Sequence, residues 1–286
     1  MSSTLTILGC GYVGSELAKS ALQKGWTVSA LTRNQETGEN LERMGVKQVV
    51  VSYLNNDEWH SHLDPNQDYV VNCVGAASPT TEGYVNSYLE GQKSAMKWSE
   101  GGNINTFIFT SSCSVYPQTG RKLVDETSSC AGVSDKGGLL LAAEGISFPP
   151  PQTIKRSFIL RLAGIYGPER HLLLKKVKQG IEMDGNAERI LNLIHRDDAV
   201  EAIFACLLAG DENLGRIYNL SDGSPSARGQ IVEWLSQKLD TQAPLFVEND
   251  SEDTPNRKIS NQRIVEELSW SPKFRSFMQG YESLLA

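Results

Sequence analysis

The sequence predicts an α/β protein: a Rossmann-type, doubly wound parallel sheet with a small, interleaved C-terminal domain. Short apolar segments alternate with helix-patterned segments from the first residues onward. These apolar runs are too continuous for half-exposed strands, and they suit parallel strands covered by helices on both faces. A glycine-rich turn joins the first expected strand to the first expected helix. Strand–helix alternation of this kind favours right-handed crossovers within one sheet.

The N-terminal half keeps this alternation regularly. The expected strands span residues 4–8, 27–31, 46–51, 69–74 and 106–111, and the expected helices span 13–24, 39–44 and 84–99. Val13, Leu17 and Ala21 share one face of the first helix, and Gly25 is placed to end it.

The alternation of strands and helices becomes less regular after three consecutive prolines at 149–151. We expect a strand at 158–163, a turn at 164–168, a strand at 217–220, a loop at 251–259, and helices at 198–208, 227–239, 261–268 and 274–285. Asp198 and Glu201 are expected to form a capping box at the start of their helix. The domains are expected at 1–165 and 166–286, with segments near 190–222 returning to the main sheet.

Composition narrows the functional classes. The chain has 286 residues, a net charge of −7 and 40% hydrophobic residues, which excludes a disordered or fibrous protein. Basic runs never exceed two residues, so no nucleic-acid partner is expected. The apolar stretch 199–209 is too short to span a bilayer, and the N terminus lacks signal-peptide features. Five cysteines without Cys-x-x-Cys spacing favour reduced thiols and a cytoplasmic protein.

The segment Gly9-Cys-Gly-Tyr-Val-Gly14 carries the strongest functional signal. In a dinucleotide-binding turn the first glycine permits the tight turn, the second lets the backbone approach a pyrophosphate, and the third lets the helix pack on the sheet. The helix N terminus then faces the phosphates. We therefore favour a dinucleotide site over a ligand-free turn. The residues expected to bind the cofactor are Gly9, Gly11, Tyr12, Val13, Gly14, Thr32, Arg33, Val74, Gly75 and Ala76.

The end of the second strand indicates which dinucleotide binds. NAD sites usually place Asp or Glu about 20 residues after the turn, on the ribose 2′-hydroxyl. Here the sequence is Ala30-Leu-Thr-Arg-Asn34, and the nearest acid is Glu36. The Arg33 guanidinium can instead pair with a 2′-phosphate, the alternative being a solvated loop arginine. We expect NADP as the cofactor and leave NAD open.

Five further motifs follow in order along the chain: Thr110-Ser-Ser-Cys-Ser-Val-Tyr116, Asp125-Glu-Thr127, Leu160-Arg-Leu-Ala-Gly-Ile-Tyr-Gly-Pro168, Asn192-Leu-Ile-His-Arg-Asp-Asp198 and Tyr218-Asn-Leu-Ser221. With the glycine turn, they resemble the short-chain dehydrogenases/reductases of the NAD-dependent epimerase/dehydratase group. The short length and the turn are most similar to the small bacterial atypical members. The turn departs from the family by having one residue, Cys10, between its first two glycines instead of two.

The second departure concerns catalysis. The family uses a Tyr-x-x-x-Lys pair followed four residues later by glutamate, with the tyrosine as general acid/base and the lysine on the nicotinamide ribose. With Glu144 as the anchor, Lys136 stands at the tyrosine position and Leu140 at the lysine position. No Tyr-x-x-x-Lys occurs anywhere in the chain. The resemblance therefore implies the family's binding turn without its usual acid/base pair.

Ser112 and Tyr116 are the remaining catalytic candidates. Ser112 matches the family serine that bonds the substrate carbonyl, the alternative being a polar cap at a strand end. Tyr116 lies four residues later, and packing beneath a loop is its alternative role. Lys136 would serve as a base only if burial lowered its pKa, and a solvated loop lysine is favoured.

Two functions stay open. The first is an NADP-dependent oxidoreductase or epimerase/dehydratase-like enzyme that transfers hydride on a small substrate, with a sugar nucleotide as one class. The second is a catalytically silent NADP-binding sensor or scaffold.

The sequence leaves a homodimer as an open alternative, and it predicts neither a membrane partner nor a metal site. The His60-Ser-His62 segment is expected to be a solvated surface because the two imidazoles diverge on a helix or loop.

Overall fold

The computed structural model describes residues 2–210, 215–247 and 254–285. Its strands, in chain order, are β1 Thr4–Leu8, β2 Thr27–Thr32, β3 Gln48–Val51, β4 Gln67–Asn72, β5 Ile104–Ser112, β6 Lys122–Val124, β7 Ile154–Leu162, β8 Gly164–Tyr166, β9 Met183–Asp184, β10 Ile190–Leu191, β11 Leu193–His195, β12 Ile217–Leu220, β13 Ser226–Ala227, β14 Phe246–Val247 and β15 Arg257–Ile259.

The α-helices are α1 Tyr12–Gln23, α2 Gln35–Met44, α3 Thr81–Tyr84, α4 Gly91–Ser99, α5 Asp135–Ser147, α6 Leu172–Gln179, α7 Arg196–Leu207, α8 Arg228–Leu239, α9 Gln262–Leu268 and α10 Phe277–Leu285. A π-helical segment, Val85–Glu90, joins α3 to α4. Short 3₁₀ helices span Asp57–His62 and Cys113–Val115.

Seven parallel strands with flanking helices form the main sheet, which confirms the expected fold class. Their order is β12-β7-β5-β4-β1-β2-β3. The register pairs Leu8 with Leu31 on one side and with Asn72 on the other. The carboxyl ends of β1, β2 and β4 therefore lie level at one edge, where the strand order reverses direction. Open α/β sheets bind ligands at this point.

Local capping explains where the observed elements differ from the expected ones. The helix expected at 39–44 begins at Gln35 because the Asn34 side chain caps it, accepting the Thr37 N–H at 2.8 Å. The strand expected from 46 begins at Gln48, because Val46 N–H still bonds to the Leu41 carbonyl at the end of α2.

Three expectations for the second half were wrong. Residues 164–166 form β8, paired in parallel with β11, instead of a turn. Asp198 lies inside α7 and forms no capping box, because its carboxylate accepts backbone N–H groups of Lys273 and Phe274. In the loop expected at 251–259, residues 251–253 lie outside the described part, and Arg257–Ile259 form a strand paired with β6.

The chain divides into two compact units. Unit 1 contains Met1–Val115, Val133–Arg161 and Val200–Tyr218, and unit 2 contains Tyr116–Gly132, Leu162–Ala199 and Asn219–Ala286. Residues 116–132 therefore belong with the C-terminal segments, although the sequence placed them in the first domain. Each unit has its own hydrophobic cluster, with Trp59, Phe107 and Phe109 in unit 1 and Leu174 and Ile231 in unit 2.

Candidate dinucleotide-binding and active site

The glycine turn is shaped by packing within unit 1. Gly9 has φ +92°, a left-handed conformation that favours glycine, and a Cβ there would lie 2.5 Å from Val74 Cγ2. A Cβ on Gly14 would lie 2.5 Å from the Gly9 carbonyl oxygen. Gly9 and Gly14 are therefore required by the chain's own backbone, which lets α1 approach the sheet closely.

Gly11 differs from its two neighbours in the turn. A Cβ built on Gly11 would meet no heavy atom of the described chain within 4 Å. Gly11 is also the N-cap residue of α1, and no side chain of the described part caps this end. The open space and the uncapped N-terminal turn of a 12-residue helix fit the approach of a pyrophosphate. Tyr12 and Val13 begin this same helix.

The end of β2 presents a cation. Thr32 is buried, and the next residue, Arg33, is exposed and has no hydrogen-bond or ion-pair partner in the part of the chain that the structure describes. The Thr32 hydroxyl accepts the Asn34 N–H at 3.4 Å, and Asn34 then caps α2. The guanidinium of Arg33 is therefore available to a phosphate group at this edge of the sheet.

The segment Val74–Ala76 follows β4 and is held by side chains that sequence analysis did not identify. Asn72 is buried and accepts the Val74 N–H at 3.1 Å, while its amide donates to Gln92 at 2.7 Å. The Tyr88 hydroxyl accepts the Ala76 N–H at 3.3 Å. The signal available in the sequence was Asn72, a polar residue directly after the apolar run at 69–71. Gly75, between these anchors, is exposed.

A buried ion pair anchors α5 beside β5. The Glu144 carboxylate accepts the Ser111 hydroxyl at 2.6 Å and the Arg161 guanidinium at 2.7 Å, and both charged side chains are buried. Glu144 thus has a structural partner in the Leu160-Arg-Leu motif. This pairing fixes the position of α5. It also explains why a glutamate stands at position 144, which served as the anchor of the family resemblance.

Leu140 and Lys136 lie one and two turns before Glu144. Leu140 is only 1% exposed, so protein atoms already cover it. Lys136 is half-buried, and its ammonium lies 5.6 Å from the centroid of the Tyr84 ring. The backbone of the same helical turn lies against Ser114, because a Cβ on Gly137 would be 3.4 Å from the Ser114 carbonyl oxygen. The first turn of α5 therefore presents a cation next to the segment that follows β5.

Ser112 is partly exposed at the end of β5. Its Oγ accepts the Ser114 N–H at 3.1 Å, which is the capping role considered from the sequence. A hydroxyl that accepts one bond can still donate its proton. Substrate contact by Ser112 therefore stays a prediction that this geometry permits.

Tyr116 lies in unit 2 and is fully buried. Its hydroxyl donates to Asn219 Oδ1 at 2.8 Å, and the Asn219 N–H donates to Glu126 at 2.7 Å. Burial raises the pKa of Glu126 above its ordinary value. These contacts describe an internal network, and the catalytic role predicted for Tyr116 stays a prediction.

The five cysteines are free thiols. Burial raises the pKa of Cys73 to about 12 and that of Cys10, within the glycine turn, well above its ordinary value. Both thiols are protonated at neutral pH and are poor nucleophiles.

The described residues contain no group of three His, Cys, Asp or Glu side chains placed to hold a metal ion. In the same ranges, no helix has both the length and the apolar content that a membrane crossing requires. The His60 ring bonds instead to the Ser94 hydroxyl at 2.9 Å, and His62 is exposed.

A family model for the NAD dependent epimerase/dehydratase family matches residues 5–134, which include the glycine turn, Arg33, Val74–Ala76 and Ser112. The resemblance expected from the sequence motifs is confirmed over this stretch.

Similarity extends beyond the matched stretch. Protein YeeZ of Escherichia coli (strain K12) is 27% identical over 279 residues, which cover 94% of this chain and 96% of YeeZ. A solved UDP-glucuronic acid 4-epimerase from Bacillus cereus, in complex with UDP-glucuronic acid and NAD, has a TM-score of 0.84 at 18% identity, covering 98% of this chain and 96% of that chain. MoeE5, solved with UDP-glucuronic acid and NAD, has a TM-score of 0.83 at 16% identity, and the match covers 97% of this chain and 95% of the MoeE5 chain. At these identities the two structures support the fold.

Proposed function

We propose that this protein binds NADP at the glycine turn and uses it for hydride transfer on a small substrate of the sugar-nucleotide class. The observation that carries the proposal is the difference in free space between Gly11 and the two other glycines of the turn. Gly9 and Gly14 have no room for a side chain because of the chain itself, whereas Gly11 faces open space. A glycine that the protein's own packing does not require fits a backbone approached by a ligand.

The choice of NADP rests on Arg33. It is exposed, unpaired among the described residues and placed directly after β2, where an acid would favour NAD. The structural neighbours named above were solved with NAD. NADP is therefore a property that we propose for this chain on the strength of its own residues.

The bound cofactor would supply the hydride acceptor or donor. Within the chain, α1 and Gly11 would hold the pyrophosphate, and Val74–Ala76 would line the site on the side of β4. The Ser112 hydroxyl, already oriented by the Ser114 N–H, would donate its proton to a substrate oxygen. The ammonium of Lys136, on the first turn of α5, would supply positive charge near that oxygen. The free thiols support a reducing compartment such as the cytoplasm.

The test of binding is isothermal titration calorimetry with NADP on the wild type and on Gly11→Val. Gly11 has φ −93° and ψ −144°, outside the standard strand and helix regions, so circular dichroism and thermal unfolding of the variant are measured first to show that the fold is kept. We expect a large loss of NADP affinity because the valine side chain would occupy the space of the phosphates. Gly145→Val is the matched control, since Gly145 also faces open space but lies on the exposed side of α5. Equal affinity of wild type and Gly11→Val would refute the site.

A second function, an NADP-binding sensor or scaffold without turnover, is favoured by one observation. Leu140 is covered by protein where the resemblance places the ribose-binding lysine. Single-turnover mixing with NADPH and a panel of 4-keto sugar nucleotides separates the two functions. Oxidation of NADPH that is slowed in Ser112→Ala supports the enzyme, and tight NADPH binding without oxidation supports the sensor.

A further inference from the structure

Among the buried side-chain atoms of unit 2 that lack a hydrogen-bond partner within the described ranges, three belong to residues on or beside one strand. They are Tyr166 Oη, His195 Nε2 and Asp222 Oδ2. The three residues are only 3%, 2% and 5% exposed. Buried polar groups in folded proteins are almost always satisfied by protein or by ordered water, so three such atoms close together along the chain's β8 and β11 strands and the end of β12 require an explanation.

The backbone brings these residues together. Strands β8 and β11 pair in parallel with Tyr166 opposite His195, and the two rings meet edge to face at 5.4 Å. Asp222 follows β12, and its N–H donates to the Leu193 carbonyl of β11 at 2.7 Å. All three residues therefore lie on or beside β11.

Their hydrogen-bonding capacities are complementary. His195 Nδ1 lies 3.3 Å from the Asp197 N–H and accepts from it, which leaves the ring proton on Nε2 as a donor. Burial lowers the pKa of His195, which keeps the ring neutral. Asp222 Oδ1 accepts the Ser224 N–H at 2.9 Å, so Oδ2 is the free carboxyl oxygen. A donor, a carboxyl oxygen and a phenol thus lack partners in the same region, and none of the three forms a hydrogen bond to another.

The protein around Asp222 and Tyr166 disfavours a negative charge on either side chain. Burial, reinforced by the neighbouring Asp198, raises the pKa of Asp222 to about 7. Burial and the Asp222 charge likewise raise the pKa of Tyr166. The other titratable groups around the cluster are Asp198, Tyr281, Asp197, Arg196 and Lys273. The carboxylate of Asp198 is already held by the backbone N–H groups of Lys273 and Phe274.

We propose that Tyr166, His195 and Asp222 form a buried hydration site that holds one water molecule and makes the opening of unit 2 depend on pH. The water accepts from His195 Nε2 and bonds with Tyr166 Oη and Asp222 Oδ2, which satisfies all three orphaned atoms. The inference does not depend on the proposed cofactor or substrate, because every residue involved lies in unit 2.

The direction of the Asp222 pKa shift determines whether unit 2 opens more or less readily as the pH rises. Asp222 keeps its proton in the folded state up to about pH 7, whereas an unfolded aspartate loses it near its ordinary value of 3.8. Between these values, rising pH stabilises the open state but not the folded one. The equilibrium constant for opening unit 2 should therefore rise about tenfold per pH unit attributable to Asp222, and the rise should end above about pH 7.

The experiment measures hydrogen-exchange protection of unit 2 peptides across pH 5–9, corrected for intrinsic exchange, in the full-length protein. Wild type is compared with Asp222→Asn and with Asp240→Asn, an exposed acid of the same unit that receives the same isosteric change. We expect Asp222→Asn to remove the pH-dependent loss of protection between pH 5 and 7, and Asp240→Asn to keep it. An Asp222→Asn protein with the wild-type pH profile, or one that loses protection chiefly above pH 7, would overturn the proposal.

A crystal structure of the wild type at high resolution tests the water directly. One ordered water within hydrogen-bond distance of Tyr166 Oη, His195 Nε2 and Asp222 Oδ2 is the expected result. A direct bond between Tyr166 and Asp222 with no water, or a metal ion at this position, would contradict it. Tyr166→Phe supplies a second variant that keeps the ring packing, and it should lower protection of unit 2 at every pH.

Discussion

Replacing Glu144 by alanine should strongly destabilise unit 1. The substitution removes the acceptor for the Ser111 hydroxyl at 2.6 Å and for the Arg161 guanidinium at 2.7 and 3.0 Å. Arg161 is 5% exposed, so its charge would stay buried without a counterion. Breaking a buried ion pair from one side costs about 3–5 kcal/mol, much of it for the stranded charge.

The assay is urea unfolding followed by tryptophan fluorescence, since Trp26, Trp59 and Trp98 lie in unit 1. A double variant, Glu144→Leu with Arg161→Met, should recover most of the lost stability because no charge is then stranded. Glu90→Ala is the surface control, since its pair with Lys93 is exposed and should contribute little. A Glu144→Ala loss below about 1 kcal/mol would refute the argument that this pair positions α5.

Two further substitutions test the internal networks. Arg156 donates to three backbone carbonyls at the end of α7 and to Thr106, so Arg156→Met should lower the free energy of unfolding by at least about 1.5–3 kcal/mol. Urea denaturation measures this, and a stability equal to wild type would show that water replaces those bonds. Tyr116→Phe should cost about 1–3 kcal/mol, because it leaves Asn219 Oδ1 buried without its donor. Calorimetry should show unchanged NADP affinity for Tyr116→Phe, and a large loss would place Tyr116 in the cofactor site.

The sequence predicted those parts of the fold that depend on the backbone conformation and burial of neighbouring residues. The glycine turn and the end of α1 at Gly25, which has φ +76°, follow from conformational demands that only a few residue types meet. The regular strand–helix alternation likewise predicted the parallel sheet, because buried parallel strands need continuous apolar runs.

Long-range partners account for what the sequence did not predict. Asp198 carries the sequence signature of a cap, but its carboxylate bonds to the backbone at residues 273 and 274, about 75 positions away. Arg161 stands in an apolar strand, which indicates a buried partner without saying that the partner is Glu144. The packing of Lys136 against the Tyr84 ring similarly joins two helices separated by about 50 residues, and no local pattern contains it.

The most direct test of the account is calorimetric titration of NADP and NAD into wild type, Arg33→Ala and Arg43→Ala. Arg43 is the matched control because it is an exposed arginine near the far end of α2. We predict that the wild type prefers NADP. Arg33→Ala should lose about 1.5–3 kcal/mol of NADP affinity, the range for a charged hydrogen bond, with little change for NAD. Equal wild-type affinity for both dinucleotides, or an equal loss in Arg33→Ala and Arg43→Ala, would contradict the assignment of Arg33 to the 2′-phosphate.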